Sequence, residues 1–200
     1  MTESLAAIFR QALGEEGPLL IVLAGSNGAG KTTFFETFLR PTGVAFVNAD
    51  EIARALHPTE PMPDPYEAAR LAARLREELL ARRATFCMET VLSDPAGEKL
   101  AFLRAAQSAG YRVLFVWIRI ESVELSIARV MQRVESGGHD VPDEKLEVRF
   151  PRTLENATAA LGFVDLGLIL DNSRIDQPYR HVETWIRGER QVFGGGPNSP

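Results

Sequence analysis

The chain has 200 residues, 45% of them apolar and 24% charged, with a formal net charge of −5; this balance belongs to a globular domain with one core rather than to a disordered segment. The acidic balance excludes the broad basic surface with which proteins hold duplex nucleic acid, and no apolar run approaches the roughly 20 residues of a membrane helix. Cys87 is the single cysteine, so neither an internal disulfide nor a cysteine-rich metal site is available; with an N-terminal stretch, 2–16, that lacks a continuous hydrophobic segment, this points to a reducing cytoplasm.

Ile8, Ala12 and Leu13 recur at helical spacing, and Gly17-Pro18 ends that helix before 19–24, a continuous apolar run that reads as a buried strand. A helix over 33–39, breakers at Pro41 and Gly43, and a second short strand over 44–47 follow. The proline-rich stretch 58–65 reads as a surface loop. Beyond it come a long helix over 66–83, a strand over 86–88, a helix over 98–109 and a strand over 112–118. Helices over 123–135 and 143–161 precede a strand over 166–170, and Pro151 predicts a kink or restart near Phe150, because proline removes a backbone donor. The segment 182–193, turning at Gly188, reads as a hairpin on the sheet edge, and 194–200 as a disordered tail. Strands alternating with helices, without a repeat or linker, predict a single α/β domain over 1–193 with a mainly parallel sheet covered on both faces.

The stretch Gly25-Ser26-Asn27-Gly28-Ala29-Gly30-Lys31-Thr32 fits GxxxxGK[ST] between a predicted strand and a predicted helix, the context in which this motif cradles phosphates. Its glycines let the backbone amides face a nucleotide, while the start of the helix, through Thr33, offers its positive end. Lys31 is expected to reach the β- and γ-phosphates of ATP, and the Thr32 hydroxyl to serve as a Mg2+ ligand. A plain glycine turn would account for Gly25 or Gly30 but not for Lys31-Thr32 at this offset. The fold expectation is therefore a three-layer P-loop NTPase.

Asp50 follows the second strand, at the sheet edge where parallel-sheet proteins bind ligands. It is the candidate base for an acceptor hydroxyl, and it also reads as a helix N-cap. Glu89-Thr90 follows the third strand at the same edge and is a candidate acceptor-binding pair. Arg129 and Arg133 stand four apart on one helix, Lys145 and Arg149 on the next, with Arg152 beyond Pro151. These arginines, flanking Gly137-Gly138-His139, read either as solvated charge or as a lid over 129–152 that stabilises the transferred phosphoryl group. His139 has no partner at metal-ligand spacing and receives no catalytic role.

Taken in order, GSNGAGKT, VNADEIAR, CMETVLS, RVMQRVESGGHDVPDEKLEVRFPRTLENA and ILDNS resemble the zeta toxin family over about 19–173. The resemblance implies a nucleoside-kinase-like enzyme that uses ATP and Mg2+ to phosphorylate a sugar hydroxyl of UDP-N-acetylglucosamine. By motif it implies ATP and Mg2+ on Lys31 and Thr32, a base at Asp50, sugar contacts at Glu89 and Thr90, and phosphate-binding arginines at 133, 149 and 152. It also implies an antitoxin that covers the ATP site. Two other readings compete: an ATPase with Asp171 as the magnesium-orienting carboxylate of a Walker B strand, and a nucleotide-binding regulator without catalysis.

Overall fold

The computed structural model describes residues 2–57, 66–135 and 140–191. The proline-rich loop expected at 58–65, the Gly137-Gly138-His139 turn and the tail expected at 194–200 lie outside the described residues.

Helix α1 (Thr2–Gly14) precedes strand β1 (Leu19–Ala24), which is buried along its whole length. That is the pattern of a strand covered on both faces. After the phosphate loop comes α2 (Lys31–Phe34), which widens into a π-helical turn (Phe35–Leu39) and closes as a 3-10 turn (Arg40–Thr42). The helix expected over 33–39 is thus neither uniform nor α-helical throughout. The wide turn seats Phe35 flat on Phe46, ring centroids 3.7 Å apart, and brings Phe34 and Phe38 edge-on to Tyr179. Local propensity here gives way to aromatic packing.

Strand β2 (Ala45–Val47), α3 (Ala49–Leu56), α4 (Glu67–Ala81), β3 (Phe86–Thr90), α5 (Glu98–Ser108), β4 (Arg112–Arg119), α6 (Val123–Glu135), α7 (Asp143–Leu161) and β5 (Leu166–Asp171) follow in order. A hairpin of β6 (Arg180–Ile186) and β7 (Glu189–Gln191) ends the described chain, turning at Arg187-Gly188 with φ positive at both residues, the geometry that matches the natural strand twist. The sheet order among the described residues is β2-β3-β1-β4-β5-β6-β7, with the first five strands parallel and the last two antiparallel. Two apolar layers cover its faces. One joins α4, α5 and α7 to the sheet through Ala72, Leu103 and Ala157; the other joins α1 and α2 through Phe9 and Phe34. This is a P-loop NTPase-like α/β fold.

Two local expectations are corrected. Helix α7 is continuous through Pro151, so the restart expected near Phe150 does not occur. Pro151 and Glu147 lie on its exposed face, so the carbonyl that loses its donor turns to solvent rather than to the core. The N-cap of α3 is Asn48, not Asp50: Asn48 Oδ1 accepts from the Asp50 and Glu51 amides at 2.7 and 3.3 Å, and Asp50 stands in the first turn, exposed. No described helix is long and apolar enough to cross a membrane.

Candidate active site

The phosphate loop, 25–32, lies between the buried end of β1 and the start of α2. Side chains bind its carbonyls in unbroken succession. Lys31 Nζ donates to the Gly25 and Ser26 carbonyls at 2.9 and 3.0 Å. Ser126 Oγ donates to the Asn27 carbonyl at 2.7 Å, Arg129 to that of Gly28 at 3.4 Å, Asn172 to that of Ala29 at 2.9 Å and the Tyr179 hydroxyl to that of Gly30 at 2.9 Å. With its carbonyls engaged from outside, the loop leaves amide groups for an anion, the arrangement of a backbone nest. Glycine is required where the loop crowds its neighbours: a Cβ on Gly25 would stand 2.2 Å from the Ile118 carbonyl. At Gly30, with φ of 91°, it would stand 2.6 Å from Asn172 Nδ2.

Lys31 is buried, and desolvation lowers its ammonium pKa; Glu89 and Asp50 act against that shift, while Arg133 adds to it. Its carboxylate neighbour is Glu89, with Nζ and Oε1 3.9 Å apart. Glu89 Oε2 also accepts from the Thr32 hydroxyl at 2.9 Å and from Asn48 Nδ2 at 2.8 Å. Lys31, Thr32, Asn48 and Glu89 therefore form one polar cluster at the carboxyl ends of β1, β2 and β3. Asp50 belongs to its edge, close enough to Lys31 to favour the charged ammonium.

The pairing of Glu89 with Thr90 does not survive. Both residues belong to β3 rather than following it, and successive side chains of a strand point to opposite faces. Glu89 shares the Cys87 face, which α2 covers, and turns to the phosphate loop. Thr90 instead accepts from the Leu92 amide at 2.9 Å and closes a local turn. Cys87 itself is buried, which pushes its thiol pKa well up and leaves it inert.

Asp171 is also displaced from its alternative role. It ends β5, two strands from β1, and binds the Ser173 hydroxyl and amide at 2.5 and 3.0 Å and Arg180 at 2.8 Å. Burial raises the pKa of this carboxyl, but those bonds outweigh it and hold the group below the usual carboxylate range. The carboxylate beside Thr32 is Glu89, so Asp171 is not the magnesium-orienting residue of a Walker B strand.

The arginines divide. Arg129 braces the loop from behind, its guanidinium bridging the Gly28 and Ser173 carbonyls at 3.4 and 3.3 Å, rather than presenting itself to a nucleotide. Arg133, on the same helix, is exposed and acts electrostatically on Lys31. Arg149 is half-buried and Arg152 exposed on α7. Val130, Val141 and Leu146 form a small apolar cluster that ties α6 to α7, apart from the two main layers. Thr33 is exposed, beside the Tyr179 hydroxyl that donates to the Gly30 carbonyl.

Asn48, Ser126, Asn172 and Tyr179 are the site residues that spacing did not single out. Asn48 had a legible signal, since Asn at 48 and Glu at 51 stand as a capping pair. The other three come from α6, the end of β5 and the start of β6, so only tertiary contact brings them to the loop. Asn172→Ala leaves the Ala29 carbonyl and the Tyr179 amide without their partner (2.9 and 3.2 Å). It is expected to lower stability by about 1–3 kcal/mol and to weaken binding of a fluorescent ATP analogue by roughly 10-fold, as for the loss of one positioning bond. Titration and thermal unfolding read the two effects, and unchanged affinity would show that the loop holds its shape without this brace.

A zeta toxin family model matches residues 5–181. The chain belongs to the zeta toxin family. A Haemophilus influenzae protein described only as uncharacterized is 29% identical over 130 residues, covering 65% of this zeta toxin chain and 91% of its own. Two solved structures share the fold. The AvrRxo1-ORF1:-ORF2 complex with ATP has a TM-score of 0.69 at 19% identity, over 96% of this chain and 68% of that one. The PezAT toxin-antitoxin system of Streptococcus pneumoniae has a TM-score of 0.62 at 19% identity, over 91% of this chain and 78% of that one.

Proposed function

We propose that this zeta toxin family member is an ATP- and Mg2+-dependent kinase that transfers the γ-phosphate to an alcohol group of a nucleotide sugar, with UDP-N-acetylglucosamine the leading acceptor. The observation that carries the reading is the cluster of Lys31, Thr32 and Glu89 at the mouth of the phosphate loop, with Asp50 at its edge. Family membership supports the reaction class, and the ATP in the AvrRxo1 complex supports the nucleotide.

The donor set suits magnesium. Thr32 and Glu89 offer hard oxygens 2.9 Å apart, and no group of three acidic, histidine or cysteine side chains is assembled among the described residues. An ion that keeps several waters and takes phosphate oxygens needs no more than one or two such protein ligands. When bound, Mg2+ neutralises charge on the β- and γ-phosphate oxygens.

The chain's own residues account for the rest. The loop amides and Lys31 hold the β- and γ-phosphates, with Lys31 exchanging its bonds to the Gly25 and Ser26 carbonyls for phosphate oxygens. Asp50 accepts the proton of the acceptor hydroxyl as that oxygen bonds to the γ-phosphorus, and the bond from phosphorus to the bridging oxygen breaks to release ADP. Arg133 and Arg149, with Arg152 beyond them, supply positive charge over the transferred group. The α6–α7 hairpin that bears them is the proposed lid. An antitoxin that covers this site is the proposed partner, in keeping with the toxin-antitoxin system to which the PezAT neighbour belongs.

The test is to incubate the purified protein with Mg2+, labelled ATP and a panel of nucleotide sugars, nucleosides and small alcohols. Label is expected on UDP-N-acetylglucosamine. Label on another alcohol would keep the kinase and change the substrate; label released only as inorganic phosphate, at the same rate with every acceptor, would make the protein an ATPase.

A further inference from the structure

The segment 91–94 leaves the carboxyl end of β3 in a conformation that its own residues do not favour. Leu92 is buried, 1% exposed, yet has φ of 60°, the left-handed region in which a β-carbon crowds the following carbonyl. Such a backbone persists only where its surroundings hold it. Here the holding groups are identifiable. Leu92 N donates to Thr90 Oγ1 at 2.9 Å from within the turn. From α7, Thr153 Oγ1 lies 2.9 Å from the Val91 carbonyl, and Asn156 Nδ2 donates to the Leu92 and Asp94 carbonyls at 2.9 and 3.2 Å.

Those two residues stand three apart on one side of α7. Thr153 is 1% exposed, and its hydroxyl also lies 3.0 Å from the Arg149 carbonyl, one turn earlier. On the adjoining side, Phe150 and Leu154 line a cleft of about 510 Å3 together with Trp117, Arg119 and Asp171. One turn of α7 thus grips the segment that follows Glu89, carries Arg149 and walls the neighbouring cleft.

We infer that Thr153 and Asn156 are positioning residues of the transfer site: by holding 91–94 in its strained path they lock the end of β3, with Glu89, and the Arg149-bearing helix into one frame around the transferred phosphoryl group. The inference rests on the kinase reading for its kinetic consequence but not for the tether itself. Loosening the tether lets Glu89, at the end of β3, and Arg149, on α7, shift against each other, while the phosphate loop itself, built on β1, α2 and the braces from α6, β5 and β6, stays formed.

The test uses the full chain with Asn156→Leu and Thr153→Val, which keep volume and remove the donors, and Thr153→Ser, which restores the hydroxyl. Hydrogen exchange over 90–95 is expected to accelerate in the first two variants and to return to the wild-type rate in the third, while exchange over 25–34 is unchanged. With UDP-N-acetylglucosamine as the acceptor probe, the first two variants are expected to lower kcat about fivefold or more and to leave the KM for ATP within about twofold, and Thr153→Ser to regain the wild-type kcat. Unchanged exchange over 90–95 would overturn the tether. Faster exchange with kcat unchanged, or losses in proportion to the unfolded fraction alone, would overturn the positioning role. If the wild-type chain labels no acceptor, the kinase reading fails separately; the comparison then moves to ATP hydrolysis, with water as acceptor, where a lower kcat at constant KM for ATP upholds the frame and an unchanged kcat overturns it.

Discussion

Asp50→Asn is expected to retain ATP binding and to lose phosphoryl transfer by about 10²–10⁴-fold, the range of a removed general base. The substitution separates chemistry from folding. Asp50 is exposed and caps nothing, because the N-cap of α3 is Asn48, whose Oδ1 takes the Asp50 and Glu51 amides. What the helix loses is one negative charge in its first turn, a matter of about 0.3–1 kcal/mol. Transfer to the acceptor identified by the labelled-ATP panel, together with titration of a fluorescent ATP analogue and a thermal melt, measures all three quantities. Transfer at the wild-type rate would remove Asp50 from the mechanism. Loss of nucleotide binding in step with transfer would mean that Asp50 serves the phosphates and not the hydroxyl.

The second large effect is at Lys31. Lys31→Ala is expected to lower ATP-dependent turnover by roughly 10²–10³-fold, the cost of deleting one preorganised donor to developing charge, and to weaken ATP binding with it. The side chain is 6% exposed, and its ammonium is held by two loop carbonyls with Glu89 beside it. Its removal leaves the Glu89 carboxylate facing Thr32 and Asn48 without its nearby cation, so a lowered melting temperature is also expected. Circular dichroism establishes that the variant is folded before kinetics are compared. Wild-type turnover in a folded Lys31→Ala protein would contradict the phosphate-loop assignment.

These two residues fail differently because they belong to different parts of the cluster. Lys31 is an interior group, desolvated and electrostatically coupled to Glu89, Asp50 and Arg133. Asp50 is a surface group on a helix whose start is secured by another side chain. An interior cation lost from a network disturbs binding and stability together, whereas a surface carboxylate leaves the frame intact.

How much was legible without coordinates follows from the range of the physical signal. Strand β1 and helices α6 and α7 stand in the structure with the bounds that apolar runs and helical periodicity gave them, since each signal lies within the element itself. The phosphate loop was legible for the same reason: glycines, lysine and threonine at fixed offsets carry the whole motif in eight consecutive residues. The π-helical turn at Phe35–Leu39 was not, because it is set by Phe46 and Tyr179. Nor was the uninterrupted α7, whose proline happens to fall on the exposed face.

The sequence by itself determined that this chain builds a mostly parallel α/β sheet around a glycine-rich loop of phosphate-loop pattern, because alternation of elements and short motifs are local properties. The tertiary structure alone decided which carboxylate faces Thr32, turning Glu89 rather than Asp171 toward it, and which side chains brace the loop carbonyls. Strand order and strand pleat make those choices: β3 lies beside β1 while β5 lies two strands away, and neighbours such as Glu89 and Thr90 are sent to opposite faces. Neither the order nor the face is written in any one stretch of residues.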